Sequence, residues 1–297
     1  MPAVPPGRDG MGVRVHLVDG TFELFRCFHG APRARTASGR EVGAARGLLA
    51  TITSLLHEPD VTHVAVAFDS VVPPPGAAKG SSPDQLIAAQ TGLAADAVRA
   101  LGVPVWPSGR YQADELLATG AARFAADPDV DQVVICSTDN DFNQCVRGAR
   151  IVVLDRIRRL VTDETMVRER YGVGPEQVPD LFALVGDRSD GLPGVPGWGL
   201  TSAAALLRRH GRLDAIPLDH LDWDVDVRGA ARLAAALREH RDEALLCRDL
   251  SELRTDLPLR HGLGELRWHG ARRDRIERIC ALVEDDSVVA RIAHWAA

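Results

Sequence analysis

The chain has 297 residues, 45% hydrophobic and 26% charged, with a formal net charge of −6. That balance fits a globular protein with a substantial core and excludes a disordered or low-complexity chain. No run approaches the roughly 20 apolar residues that span a bilayer, residues 1–12 lack the apolar segment of a signal peptide, and a cytoplasmic protein is expected. The five cysteines, Cys27, Cys136, Cys145, Cys247 and Cys280, are far apart and mostly inside apolar patterns. Neither a disulfide framework nor a Cys/His zinc site is indicated.

In chain order, residues 13–18 (Val-Arg-Val-His-Leu-Val) and 63–68 (His-Val-Ala-Val-Ala-Phe) are short apolar, β-branched runs that predict strands, each followed by an aspartate. Residues 132–137 and 150–154 predict two more, and helical periodicity fills 44–57, 84–101 and 113–126 between them. Alternating strands and helices predict an α/β fold, a mostly parallel sheet flanked by helices. Ligands of such folds gather beyond the carboxyl ends of the strands, where Asp19, Asp69, Asp139 and Asp141 fall. From about Asp180 the strand signal fades and helical patterns take over at 201–210, 230–247 and 272–283. The expected division is therefore an α/β domain over 12–179 and a helical region over 180–297. Between two apolar helical patterns, Leu192-Pro193-Gly194-Val195-Pro196-Gly197-Trp198-Gly199 alternates Gly and Pro, residues that hold a tight turn and let a ligand approach the backbone. A helix begins just after it, so exposed amides there would suit a phosphate.

The acidic residues cluster: Asp19; Asp69; Asp114 and Glu115 with Asp139 and Asp141; Asp187 and Asp190. Neighbouring carboxylates repel and resist ionisation unless a cation or basic group offsets them. Mg²⁺ or Mn²⁺ is the natural offset, because hard cations prefer oxygen ligands. The pattern predicts a metal site assembled from separate segments. Taken alone, Asp139 and Asp141 read equally well as a turn that caps a helix. The acidic net charge is a weak guide to partners, since bound metals would neutralise these clusters.

Val18-Asp19-Gly20 with Leu24-Phe25-Arg26, Phe68-Asp69, Tyr111-Gln112-Ala113-Asp114-Glu115, Thr138-Asp139-Asn140-Asp141, and the run from Gly186-Asp187-Arg188-Ser189-Asp190 to Gly199 resemble, in this order, the motifs of the bacterial 5'-3' exonuclease and flap endonuclease family. That family includes the N-terminal nuclease domain of bacterial DNA polymerase I. The likeness runs from about Gly12 to Leu259, and with no polymerase domain following, the chain resembles a stand-alone member. The resemblance implies a PIN-like nuclease domain followed by a helix-three-turn-helix, SAM-like unit that grips duplex DNA, often with a bound K⁺. It implies hydrolysis of DNA near a 5' end, flap or gap by a monomer holding two or more Mg²⁺ or Mn²⁺ ions. Asp19, Asp69, Asp114, Glu115, Asp139, Asp141, Asp187 and Asp190 take the family's catalytic and metal-ligating positions. Gly194, Val195, Gly197, Trp198 and Gly199 take its DNA-binding hairpin, with Arg26 and Lys79 as further nucleic-acid contacts.

Beside these implied roles stand plainer ones. Trp198 could equally anchor packing, Arg26 form a surface ion pair, Lys79 be a solvated charge, and Arg208, Arg209 and Arg212 a solvated helix face rather than a backbone contact. Two departures from the family pattern matter. Gln112-Ala113-Asp114-Glu115 stands where the family has Glu-Ala-Asp-Asp, which implies weaker cation binding or a preference for Mn²⁺. Residues 70–83 are short and rich in proline where the family has a helical arch, with Lys79, the chain's single lysine, as their one cation. Three consecutive prolines forbid an arch helix there. The rival expectation is a DNA end- or junction-binding protein with weak or no cleavage; an RNA-cutting PIN-like nuclease is disfavoured by the hairpin.

Overall fold

The computed structural model describes residues 12–70, 82–107, 109–187 and 191–296. The first strand, β1 (Val13–Asp19), is buried over its last five residues. A parallel strand covered on both faces hides both sets of side chains, which is why its sequence is a nearly continuous apolar run. Helix α1 (Gly20–Gly30) starts directly from its end and buries Leu24, Cys27 and Phe28 along one stripe. A Cβ on Gly20 would stand 2.7 Å from the Ala67 carbonyl oxygen, so glycine lets this helix begin hard against the next strand. There follow α2 (Gly43–Leu56), β2 (His63–Phe68), α3 (Pro83–Ala100), β3 (Val105–Pro107), α4 (Ala113–Ala125) and β4 (Val130–Cys136). β1 is central, with Leu17 opposite Ala65 of β2 and Ile135 of β4. β2 in turn pairs with β3, Val66 opposite Val105, and all these pairings are parallel.

The chain continues through an antiparallel hairpin, β5 (Ile151–Asp155) and β6 (Leu160–Thr162), then α5 (Glu164–Tyr171), α6 (Val178–Val185), α7 (Leu200–His210) and α8 (Ala230–Ser251), and ends with α9 (Leu263–Leu266) and α10 (Arg273–Val283). It divides into two compact units. One joins the residues up to Ser137 with those from Thr255 onward, so α9 and α10 belong with the parallel sheet. The other is Thr138–Arg254, the hairpin with α5 to α8. This differs from the division at 179/180 drawn from fading strand signal. The C-terminal segment is tied to the sheet unit by the Trp268 N–H to the Thr62 carbonyl (2.8 Å), the Trp268 indole to the Leu101 carbonyl (2.7 Å), and the Arg272 N–H to the Ala100 carbonyl (2.9 Å).

In the second unit α6 packs on α7 and α8. Asp180 of α6 is buried, accepts the Leu213 N–H at 3.0 Å and lies 4.0 Å from the Arg248 guanidinium. Burial pushes its carboxyl above the usual range, and the hydrogen bond and arginines oppose that rise. No described helix is long and apolar enough to cross a membrane.

Candidate active site

In the sheet unit, three of the acidic segments meet at the carboxyl ends of the strands through a series of hydrogen bonds. Asp19 ends β1 and caps α1, its Oδ1 accepting the Phe22 N–H at 2.9 Å. Its Oδ2 accepts the Ser137 hydroxyl, just past β4, at 3.1 Å. Thr21 Oγ1 accepts the Asp69 N–H at 2.8 Å, which fixes the residue after β2. Asp69 Oδ1 then accepts the Ala113 N–H at 2.8 Å and holds the start of α4. The first turn of that helix carries Asp114 and Glu115, both half-buried, where the positive end of the helix dipole favours carboxylates. Asp114 Oδ1 accepts the Glu115 N–H at 2.6 Å, and Glu115 Oε2 reaches back to the Gln112 N–H at 3.0 Å. Gln112 itself is exposed and opens the helix.

The remaining described carboxylates belong to the second unit. Asp139 caps a 3₁₀ turn, its Oδ1 accepting the Asp141 N–H at 2.9 Å, which is the capping role the sequence alone allowed. Asn140, between them, donates from Nδ2 to Asp187 Oδ2 at 3.3 Å and accepts the Tyr171 hydroxyl on Oδ1 at 3.3 Å. Burial raises the Asp139 carboxyl above its usual value, the Asp187 charge adds to the rise, and the Asp141 N–H opposes it. Burial and the charges of Asp187 and Asp141 also raise the Tyr171 phenol. Asp190 lies outside the described residues, as does Lys79. Among the described residues, no three His, Cys, Asp or Glu side chains surround a common point.

The glycine-rich turn is built by its backbone. Gly194 has φ +68°, and a Cβ there would stand 2.4 Å from the Gly186 nitrogen and 2.5 Å from the Val185 carbonyl carbon. Val195 is buried and donates its N–H to the Leu184 carbonyl at 2.8 Å. Gly197 has φ +82° and lies against Arg232, while a Cβ on Gly199 would meet nothing within 4 Å. Helix α7 follows Gly199, which as N-cap offers no side chain to bond its first amides. Trp198 is buried: its indole donates to the Leu233 carbonyl at 3.1 Å and meets Trp223 edge-on at 6.0 Å.

The candidate cations are mostly engaged. Arg26 bonds Glu23 from Nε at 3.0 Å and Thr51 Oγ1 at 3.3 Å. Arg208 donates to the Gly172 carbonyl, Arg209 forms two bonds to Asp224 Oδ2, and Arg212 pairs with Asp214. Ser137, Thr21 and Asn140 were not among the expected site residues. The available signal was their place in the motifs, each next to or within two residues of a predicted carboxylate.

The family model of the 5'-3' exonuclease N-terminal resolvase-like domain matches residues 14–172, and that of the 5'-3' exonuclease C-terminal SAM fold matches residues 173–274. The chain is 31% identical over 279 residues to DNA polymerase I of Bacillus caldotenax, covering 90% of this chain and 31% of that protein. It is 35% identical over 260 residues to DNA polymerase I of Pseudomonas aeruginosa, covering 82% and 27%. It thus spans less than a third of the length of these relatives. In fold it is similar to T5 5'-exonuclease with bound zinc, at TM-score 0.62 and 19% identity over 91% of this chain and 98% of the other. The flap endonuclease-1 of Methanococcus jannaschii aligns at TM-score 0.59 and 15% identity, over 94% and 90%.

Proposed function

The chain belongs to the 5'-3' exonuclease family, and from that membership we propose that it is a divalent-metal-dependent 5'-3' exonuclease or structure-specific 5' nuclease acting on DNA with a 5' end, flap or gap. The observation that carries the proposal is the hydrogen-bond series from Ser137 through Asp19, and from Thr21 through Asp69 to Ala113. It sets carboxylates of separate segments at the ligand-binding end of a parallel sheet. Metal-bound and DNA-bound forms are known for T5 proteins of this fold.

Carboxylates of this kind would suit Mg²⁺ or Mn²⁺, which prefer oxygen ligands. Burial first, and then the nearby Asp187 charge, make Asp139 hold its proton more tightly, and a bound cation would offset both costs of ionising it. When bound, such ions supply an acidified water and charge relief on a departing oxygen. The chain's own residues do the placing. Both Asp19 oxygens are held by hydrogen bonds, which suits orientation through water. Asp114 and Glu115 would present their charge from the first turn of α4, and in the Thr138–Arg254 unit Asp139, Asp141 and Asp187, with Asp190 by its place in the sequence, are the carboxylates proposed to take metal. The uncapped amides at the start of α7 would take duplex phosphates, with the buried Trp198 bracing the turn.

The test is cleavage of end-labelled duplex, 5'-overhang and 5'-flap DNA with Mg²⁺ and separately Mn²⁺, comparing wild type with Asp139→Asn/Asp141→Asn. Loss of even an outer partner of a metal ligand costs about 10- to 100-fold, so the double variant should fall by about 100-fold or more. Cleavage surviving in the variant would remove these residues from the mechanism. The second reading, a DNA-binding protein with little cleavage, draws on the neutral Gln112, and tight binding without cleavage by wild type would establish it.

A further inference from the structure

The sheet unit contains a cavity of about 740 Å³ bordered by Val105, Trp106 and Pro107, the whole of β3. Successive strand residues point to opposite faces, so a cavity touching all three runs along the strand's edge. β3 is the edge strand of its sheet. An edge presents main-chain groups to any extended segment laid beside it. The floor is apolar and closely packed, with Trp106 3% and Leu116 4% exposed. The Trp106 indole N–H is spent on His261 Nδ1 at 3.2 Å.

The rim is basic: among the described residues Arg99, Arg110, Arg260 and His261 line the cavity, and no carboxylate does. That is a local reversal in a chain with 41 acidic and 35 basic residues. Arg99 pairs with the exposed Asp96, a pairing worth little in water. An adjoining cavity of about 500 Å³ shares Arg99 and His261 and adds Arg267, Arg272 and Arg275. Its one carboxylate among the described residues, Glu265, accepts the Gly262 N–H at 2.8 Å.

We propose that this groove docks an extended acidic peptide of a partner protein. An apolar side chain of the peptide fills the cavity, its carboxylates meet the arginine rim, and its backbone lies along β3. A single nucleic-acid strand fits less well, because strand binding relies on exposed aromatic faces for stacking. Trp106 is covered, and the Arg110 guanidinium already lies 4.9 Å from the centre of the Tyr111 ring.

The test uses the full chain and a fluorescein-labelled octapeptide, a Leu-Phe pair flanked by three aspartates on each side, followed by anisotropy. Saturable binding is expected, weakened at least about tenfold by Arg260→Glu and by replacing Leu-Phe with Ser-Ser, the loss typical of an interface anchor. Three results would overturn the proposal: no saturation at about 1 mM peptide, equal binding of the Ser-Ser peptide, or displacement by an eight-residue oligothymidylate whose own binding needs Arg260. No cleavage is measured, so the outcome is independent of the nuclease proposal.

Discussion

Replacing Gly194 by alanine tests whether the turn is set by its backbone. At φ +68° a non-glycine residue costs about 1–2 kcal/mol. The new Cβ would also stand 2.4 Å from the Gly186 nitrogen and 2.8 Å from the Val185 carbonyl oxygen. Both are backbone atoms at the end of α6, so no side chain can swing aside, and such overpacking adds about 1–3 kcal/mol. The sum is about 2–5 kcal/mol, or a fall in Tm of about 4–20 °C at roughly 2–4 °C per kcal/mol. Gly199→Ala is the matched control: φ there is −138° and nothing lies within 4 Å. It should cost only the difference between glycine and alanine as a helix cap, about 0.5–1 kcal/mol. Thermal unfolding by circular dichroism reads stability, and duplex-DNA binding reads the turn. A Gly194→Ala protein that melts within about 1 °C of wild type would show that this turn does not need a left-handed residue.

Three further substitutions probe the carboxylates and the turn's support. Asp139 binds its proton more tightly folded than unfolded, so its ionisation costs stability: the cost is absent below the unfolded pKa, grows as pH rises, and is complete above the raised folded value. Asp139→Asn should therefore stabilise the metal-free protein at neutral pH by about 0.5–2 kcal/mol, because an amide is spared the cost of burying a charge and then the repulsion of Asp187. The gain should vanish in acid; urea unfolding in chelator checks it, and a variant no more stable than wild type at neutral pH would contradict it. Gln112→Glu adds a charge at the start of α4 and should lower the Mn²⁺ concentration for half-maximal cleavage by about tenfold; an unchanged concentration would place position 112 beyond the ion's reach. Trp198→Ala removes a buried ring and its bond to Leu233 and should cost about 3–5 kcal/mol in chemical unfolding, whereas a loss below about 1 kcal/mol would mean that the turn holds without it.

The elements that could be read from the sequence are those whose burial leaves a continuous apolar signature. β1 and β2 lie at 13–19 and 63–68, against the expected 13–18 and 63–68, because both faces of a parallel strand are hidden. β3 has only three residues, too few for any period to register. Helix α1 was not expected, although Leu24, Cys27 and Phe28 carry its stripe, because it begins at the strand end with no intervening loop. Helix α5 also had a signal, Asp163 capping the Met166 N–H and Gly172 at φ +72° closing the last turn. The return of α9 and α10 to the sheet unit had none. Two of their attachments, at Thr62 and Ala100, are backbone bonds, which leave no residue preference behind, and the third, the Trp268 indole on the Leu101 carbonyl, is a single side chain with no periodic pattern around it.

At the site, side-chain chemistry decided what was legible. A carboxylate after an apolar strand is informative, because burial next to other carboxylates is costly without a compensating cation. A hydroxyl or amide is not, because it can satisfy itself almost anywhere; Ser137, Thr21 and Asn140 acquire meaning only from the aspartates they bond. Arg26 shows the same limit from the other side. Glu23, three residues earlier on one helix, was an available partner in the sequence, and the guanidinium takes it. The engagement of Arg208, Arg209 and Arg212 with groups of their own unit removes much of the free basic charge expected beside the turn. If that unit binds duplex DNA as proposed, backbone amides such as those at the start of α7 would carry more of the contact. Such contacts carry a smaller share of counterion release than lysine or arginine contacts, so the affinity of that unit for duplex DNA should fall less steeply with salt than a basic surface would give.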